Sequence, residues 1–74
     1  MAEQTDELKR LVAVTTDFAL PSKLRTEAIK SIGSLGTYDA LLALLDLVAN
    51  EKLTKREREL ALKQAGGIIK AIRE

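Results

Sequence analysis

The chain repeats itself with a period of 33 residues, and this period limits the possible folds more than any other feature. The matched pairs include Leu8 and Leu41, Leu11 and Leu44, Arg25 and Arg58, Ala28 and Ala61, Lys30 and Lys63, and Gly33 and Gly66. A fixed period of about 20 to 50 residues indicates stacked repeats, in which each unit buries its apolar face on the next. The sequence therefore predicts a single domain over residues 1–74, with one copy at about 6–38 and a second at about 39–71.

The composition narrows the chemistry that the chain can perform. It contains no cysteine and no histidine, which excludes disulfides, thiolate metal sites and the usual acid–base group at neutral pH. The serines consequently have no histidine to activate them, so we expect no catalytic residue, metal or cofactor. Because 46% of the residues are hydrophobic and nearly all of these are aliphatic, folding must depend on aliphatic burial between helices.

The charges are balanced overall but not along the chain. Twelve basic and eleven acidic residues leave a net charge of +1, which argues against a nucleic-acid-binding or membrane-surface protein. Residues 51–74 are nevertheless basic, with seven cationic and four acidic side chains. The N-terminus has no signal-peptide pattern, and the longest apolar run is too short to span a bilayer. We therefore expect a cytoplasmic protein.

The first copy predicts two helices. Thr5 is the expected N-cap after a frayed segment at 1–4, and an apolar set follows with helical spacing. That set contains Leu8, Leu11, Val12, Thr15, Phe18 and Ala19. Pro21 ends this helix and opens the next, which runs over about 22–35 and stops at Gly36. Its expected inner stripe contains Leu24, Ala28, Ile32 and Leu35.

The second copy predicts two more helices. Thr37 or Asp39 caps the third, over residues 40–49, whose wide apolar arc predicts burial on several sides. Thr54 and Glu57 have the spacing of a capping box at the start of the fourth helix, which continues to about Arg73. The expected inner stripe of that helix contains Ala61, Ala65, Ile68 and Ile72. No segment alternates like a strand, so the predicted class is all-α.

The segment from Pro21 to Gly36 resembles the second helix of a HEAT-like repeat, in particular the short form found in phycobilin lyase subunits. The resemblance lies in the pair Leu24-Arg25, in Ala28, and in a small-residue ending at Gly36. It implies two tandem helical hairpins stacked as a minimal HEAT-like solenoid, a right-handed superhelical domain of four helices. It also implies protein binding as the commonest use. In such repeats, arginines placed like Arg25 and Arg58 usually bridge adjacent units, so we expect a structural role for both.

Two surfaces are candidates for partner binding. The first is a basic face on helices two and four, formed by Lys23, Lys30, Arg56, Lys63 and Lys70. It would suit an acidic segment or a phosphate-bearing partner, and the alternative is a solvated helix face. The second is an apolar end at Leu44, Leu47 and Leu60, which no following repeat covers. This end predicts docking onto a partner, most simply a second copy in a homodimer, unless the last helix covers it.

We therefore expect a non-catalytic protein–protein interaction module that acts as an adaptor, regulator or assembly factor. Two alternatives stay open at this stage. The phycobilin-lyase form of the repeat suggests an accessory subunit of a lyase or cofactor-attachment enzyme. The clear period and the tidy capping box are also compatible with a designed or excised repeat fragment.

Overall fold

The chain folds into four α-helices joined by short turns. The computed structural model describes the backbone of residues 2–73 and the side chains of residues 6–73. The helices span Ala2–Thr15 (α1), Ser22–Leu35 (α2), Tyr38–Val48 (α3) and Lys55–Arg73 (α4). These residues contain no strand, which confirms the predicted all-α class. None of the four helices has the length and apolarity needed to cross a membrane.

The helices pack as two hairpins joined mainly through α2. α1 packs against α2, and α3 packs against α4, while α2 also contacts both α3 and α4. The core lies between α2, α3 and α4, and α1 adds half-buried residues to one side of it. The buried apolar residues of the core cluster are Ile29, Ile32, Ala40, Leu41, Leu44, Leu47, Leu53, Ala61, Ala65 and Ile68.

The turn between α2 and α3 follows the predicted local chemistry. Gly36 ends α2 with a φ of 65°, a left-handed conformation that suits a residue without a Cβ. Thr37 then caps α3, since its hydroxyl accepts a hydrogen bond from the Ala40 N–H at 3.0 Å. The predicted bounds of α2 and α4 are confirmed as well.

The predicted bounds of α1 are wrong at both ends. The helix begins at Ala2, so the backbone of residues 2–4 is helical rather than frayed, and Thr5 lies inside the helix instead of capping it. Met1 lies outside the described residues. The helix ends at Thr15: the Asp17 N–H bonds to the Val14 carbonyl three residues back, and the Asp17 carboxylate accepts a hydrogen bond from the Ala19 N–H, which forms a turn in place of a further helical turn. Phe18 and Ala19 therefore belong to the following turn.

Three predictions about buried faces are also wrong. Leu24 is 49% exposed, because the stripe of α2 that is covered contains its neighbour Arg25. Ile72 is exposed because α4, with 19 residues, extends beyond α3, which has 11. α3 buries one face only: it packs against α2 and α4, and Leu42 and Leu45 on its other side stay exposed.

Replacing Gly36 or Gly67 by alanine is expected to change the free energy of unfolding in opposite directions. We expect Gly36→Ala to lower the free energy of unfolding by about 1 kcal/mol, because a Cβ is unfavourable in the left-handed conformation. Gly67 lies within α4, and no neighbouring atom obstructs a Cβ there. Gly67→Ala is therefore expected to raise stability by about 1 kcal/mol, since alanine favours helix. Urea denaturation of both variants checks the signs, and a stabilised Gly36→Ala variant would contradict this account of the turn.

Candidate functional site

The carboxylate of Glu57 completes the capping box at the start of α4. One oxygen, Oε1, accepts a hydrogen bond from the Thr54 N–H at 2.9 Å. The Thr54 hydroxyl accepts in return from the Glu57 N–H at 3.1 Å. The predicted capping box is thus confirmed. Glu57 is nevertheless almost completely buried, with 1% of its surface exposed, which a cap alone does not require.

The second oxygen of Glu57 holds the two hairpins together. Oε2 accepts from Arg25 Nε at 3.1 Å and Nη2 at 2.8 Å, and from the Ser22 hydroxyl at 2.8 Å. Arg25 Nη1 donates to the Leu20 carbonyl in the turn before α2, and the guanidinium lies 5.4 Å from the centre of the Phe18 ring. Arg25 therefore links its own turn to the start of α4, and charged hydrogen bonds of this kind are stronger than neutral ones.

These bonds keep Glu57 ionised in spite of its burial. Loss of solvent by itself raises the pKa of a carboxyl group. The hydrogen bonds from Thr54 and Ser22 and the charge and hydrogen bonds of Arg25 act in the opposite direction, and the net effect lowers the pKa of Glu57 from its ordinary value near 4.5. An ionised carboxylate is thus the stable form at neutral pH.

Arg58 is the counterpart of Arg25 in the second copy, but it has no such partner. Its Nε is buried, and no described residue accepts a hydrogen bond from it. The predicted bridge between units is therefore made by Arg25 and not by Arg58. Arg58 instead lines an open groove together with Val48, Lys55, Glu59 and Leu62. In the first hairpin, α4 covers the side that carries Arg25. The groove lies on the equivalent side of the second hairpin, which carries Arg58.

The glycines at positions 33 and 66 show the same difference between the copies. A methyl group on Gly33 would overlap the side chain of Gln64, so α2 and α4 approach closely at this point. Gly66 has nothing within 4 Å of an added Cβ, and it borders a second surface depression with Ile69, Lys70 and Arg73. The first glycine therefore permits a contact that the second leaves open.

The predicted basic face is solvent-exposed. Its five side chains, at Lys23, Lys30, Arg56, Lys63 and Lys70, are all exposed. The ion pair found among residues 6–73 joins Arg25 and Glu57, so it includes none of these five. Lys23 and Arg56 are equivalent in the repeat, as are Lys30 and Lys63, and α2 packs directly against α4. The basic face is thus available to a partner.

The prediction of an exposed apolar end is wrong, because the three residues assigned to it are buried or half-buried. Leu44 and Leu47 are buried beneath α4, and Leu60 is half-buried against the core. The fourth helix covers them because their stripe of α3 is the one that faces α4 and α2. The second hairpin does expose large apolar side chains, but on another side. These are Tyr38, Leu42, Leu45, Leu62, Ile69 and Ile72.

Sequence reasoning missed the pairing of Arg25 with Glu57. The capping pattern alone gives Glu57 a complete role. That pattern therefore offered no reason to expect a partner for its second carboxylate oxygen. A signal was present in the spacing: Glu57 directly precedes Arg58, and Arg58 is the repeat equivalent of Arg25. When the second helices of two stacked hairpins run side by side, these positions come close together.

Comparisons with known proteins place no external constraint on this site. No protein-family model matches the chain, and no curated protein or solved structure matches it. The two copies of the repeat are therefore the available reference for each other. Differences between equivalent positions in the two hairpins become the most direct guide to function.

We expect Glu57→Gln to lower the free energy of unfolding by about 3 kcal/mol or more, since removing one member of a buried ion pair leaves the other charge uncompensated. Thermal or urea denaturation measures the loss. Thr54→Ala is the matched control, because it removes the cap to the Glu57 N–H but leaves the ion pair, and it should cost about 1 kcal/mol. Equal losses of stability in the two variants would show that the capping bonds alone account for what this site contributes to stability. That result would contradict a stabilising role for the ion pair.

The lowered pKa of Glu57 also predicts a pH dependence. Stabilisation by a carboxylate with a lowered folded-state pKa is complete above the unfolded value and is lost as the pH falls through the folded value. The stability difference between wild type and Glu57→Gln should therefore be largest at neutral pH and shrink below about pH 4.5. Denaturation of both proteins across this range provides the measurement. A difference that stays constant into acid would contradict the assignment.

Proposed function

We propose that this chain is a non-catalytic protein–protein interaction module, of the kind that serves as an adaptor, regulator or assembly factor. The observation that supports this most directly is the exposed apolar surface of the second hairpin. Leu42 and Leu45 on α3 and Leu62 and Ile69 on α4 are each at least 40% exposed. Contiguous exposed apolar patches are typical of surfaces that bind other proteins, and we propose that these side chains form such a patch.

The charges around this surface favour an acidic partner. The C-terminal part of the chain, residues 51–74, has seven basic and four acidic residues. Lys55 and Arg58 border the groove beside Leu62 together with one acidic residue, Glu59, and Lys70 and Arg73 border the depression beside Ile69. An apolar centre with a cationic rim attracts an acidic protein by long-range electrostatics and holds it by apolar burial.

A minimal HEAT-like solenoid is the arrangement that we propose for the two hairpins. Support comes from the order of helix contacts: each hairpin packs internally, and the second helix of one packs against the second helix of the other. Arg25 lies near the start of α2 and meets Glu57 near the start of α4, whereas Gly33 meets Gln64 two turns further along both helices. The second helices therefore run parallel, as stacked repeats require.

An affinity capture from the source organism tests the function. We expect the wild-type chain to capture a protein with an acidic segment, and the variant Lys30→Glu/Lys63→Glu to capture it at least about tenfold less well. The matched control is Lys9→Glu/Lys52→Glu, which reverses two exposed charges outside the basic face and should leave capture unchanged. Equal loss in both variants would indicate non-specific charge attraction, and no capture by wild type would contradict the proposal.

A further inference from the structure

The two copies of the repeat differ most on one side. In the first copy α4 packs against this side, and in the second copy it is largely exposed. We call the covered region the α2–α4 seam, formed by Arg25 and Gly33 of α2 with Glu57 and Gln64 of α4. Its bare counterpart is the free stripe, formed on one side of α4 by Arg58, Leu62, Gly66 and Ile69. The spacing of four, four and three residues places the free stripe along one side of the helix.

Three of the four positions of the free stripe, Arg58, Leu62 and Gly66, repeat the positions Arg25, Ile29 and Gly33 on the side of α2 that packs against α4, whereas Ile69 repeats the exposed Gly36. Ile29, which lies between Arg25 and Gly33, is completely buried, whereas its counterpart Leu62 is 56% exposed. Arg25 makes two bonds to a carboxylate, and the buried Nε of Arg58 makes none with any described residue. The free stripe therefore has the features of the α2 side of the seam but lacks the helix that covers it.

The electrostatics of the free stripe favour a carboxylate at the position that Glu57 occupies in the seam. Ser22, which donates a hydrogen bond to Glu57, has Lys55 as its counterpart, so the groove beside Arg58 is lined by two cations against the single carboxylate of Glu59. A buried guanidinium nitrogen without an acceptor is costly, and a carboxylate is its best partner. In the seam that carboxylate belongs to the third residue of a helix.

A second copy of this chain does not supply the required carboxylate if it stacks in the same direction. The position in the first hairpin that is equivalent to Glu57 is Leu24, an exposed apolar residue at the start of α2. Head-to-tail stacking of two copies would therefore place Leu24 against Arg58 and leave the charge unpaired. Same-direction stacking of two copies therefore does not satisfy Arg58, whereas a helix of another protein with a carboxylate at this position does.

We propose that the free stripe binds a helix of another protein that begins with Ser or Thr, two residues of any type, and Glu. The glutamate pairs with Arg58 as Glu57 pairs with Arg25, and the helix runs parallel to α4. A side chain seven residues after the glutamate, equivalent to Gln64, packs over Gly66. This inference rests on the proposed function and specifies the partner of the same surface.

A helical peptide with the sequence of residues 54–70 provides the probe, because it contains the glutamate and the Gln64 position in the required register. A hydrocarbon staple joins positions 59 and 63, which are exposed in α4 and lie away from the seam. Titrated into the isotope-labelled full chain, the peptide should shift the amide signals of Leu62, Gly66 and Ile69. The dissociation constant should be tighter than about 1 mM.

Four variants test the geometry, and one of them is a control. A peptide with Glu57→Gln should bind at least about tenfold more weakly, as should the chain with Arg58→Met, whereas the chain with Arg10→Met, an exposed arginine of α1, should bind as wild type. Gly66→Leu fills the space meant for the partner, so it should also abolish binding, and leucine favours helix more than glycine does. Circular dichroism confirms that each variant is folded.

Several outcomes would overturn the inference. These are no binding at about 1 mM, equal affinity for the Gln peptide, or shifts at Ile29 and Gly33, which would mean that the peptide displaces α4. Sedimentation of the chain alone would also overturn it by showing a dimer that Arg58→Met dissociates. Failure of the titration leaves the capture experiment with Lys30→Glu/Lys63→Glu unaffected, so the two proposals can fail separately.

Discussion

The ion pair between Arg25 and Glu57 fixes the relation between the two hairpins. Apolar surfaces tolerate small displacements, whereas a buried carboxylate with four donors around it has one favourable position. Because the same carboxylate also caps α4, the start of that helix cannot shift along α2 without losing both sets of bonds. The register of the parallel helices, and with it the close contact at Gly33, follows from this one side chain.

The local features of the fold could be predicted from the sequence because they depend on neighbouring residues. Gly36, Thr37 and the pair Thr54 and Glu57 each determine a helix end through their own backbone conformation or hydrogen bonds. The end of α1 was missed because Phe18 and Ala19 continue the helical spacing of apolar residues. A turn at Asp17, with a hydrogen bond from the Ala19 N–H to the Asp17 carboxylate, follows Thr15 instead, and hydrophobic spacing does not record it.

The candidate site could be predicted in part. The repeat drew attention to Arg25, which bonds to Glu57 in the structure, and the five side chains of the basic face are exposed. The side on which the second hairpin is bare could not be deduced, because Leu44 and Leu62 look equally apolar in the sequence. Which of them is covered depends on the angle at which α4 crosses its neighbours, and that angle is a property of the whole packed structure.

The α2–α4 seam is the main contact between helices that are not adjacent in the chain, and this has a kinetic consequence. Short-range topologies fold quickly because little loop entropy is lost before contacts form. Each hairpin can form early because its contacts are local. The slow step in folding is then the docking of one hairpin on the other. Since neither hairpin encloses the core by itself, opening the seam exposes the core residues of both hairpins on the sides that meet there. We expect amide hydrogens throughout α2, α3 and α4 to exchange with solvent at a common rate, in a single cooperative unit.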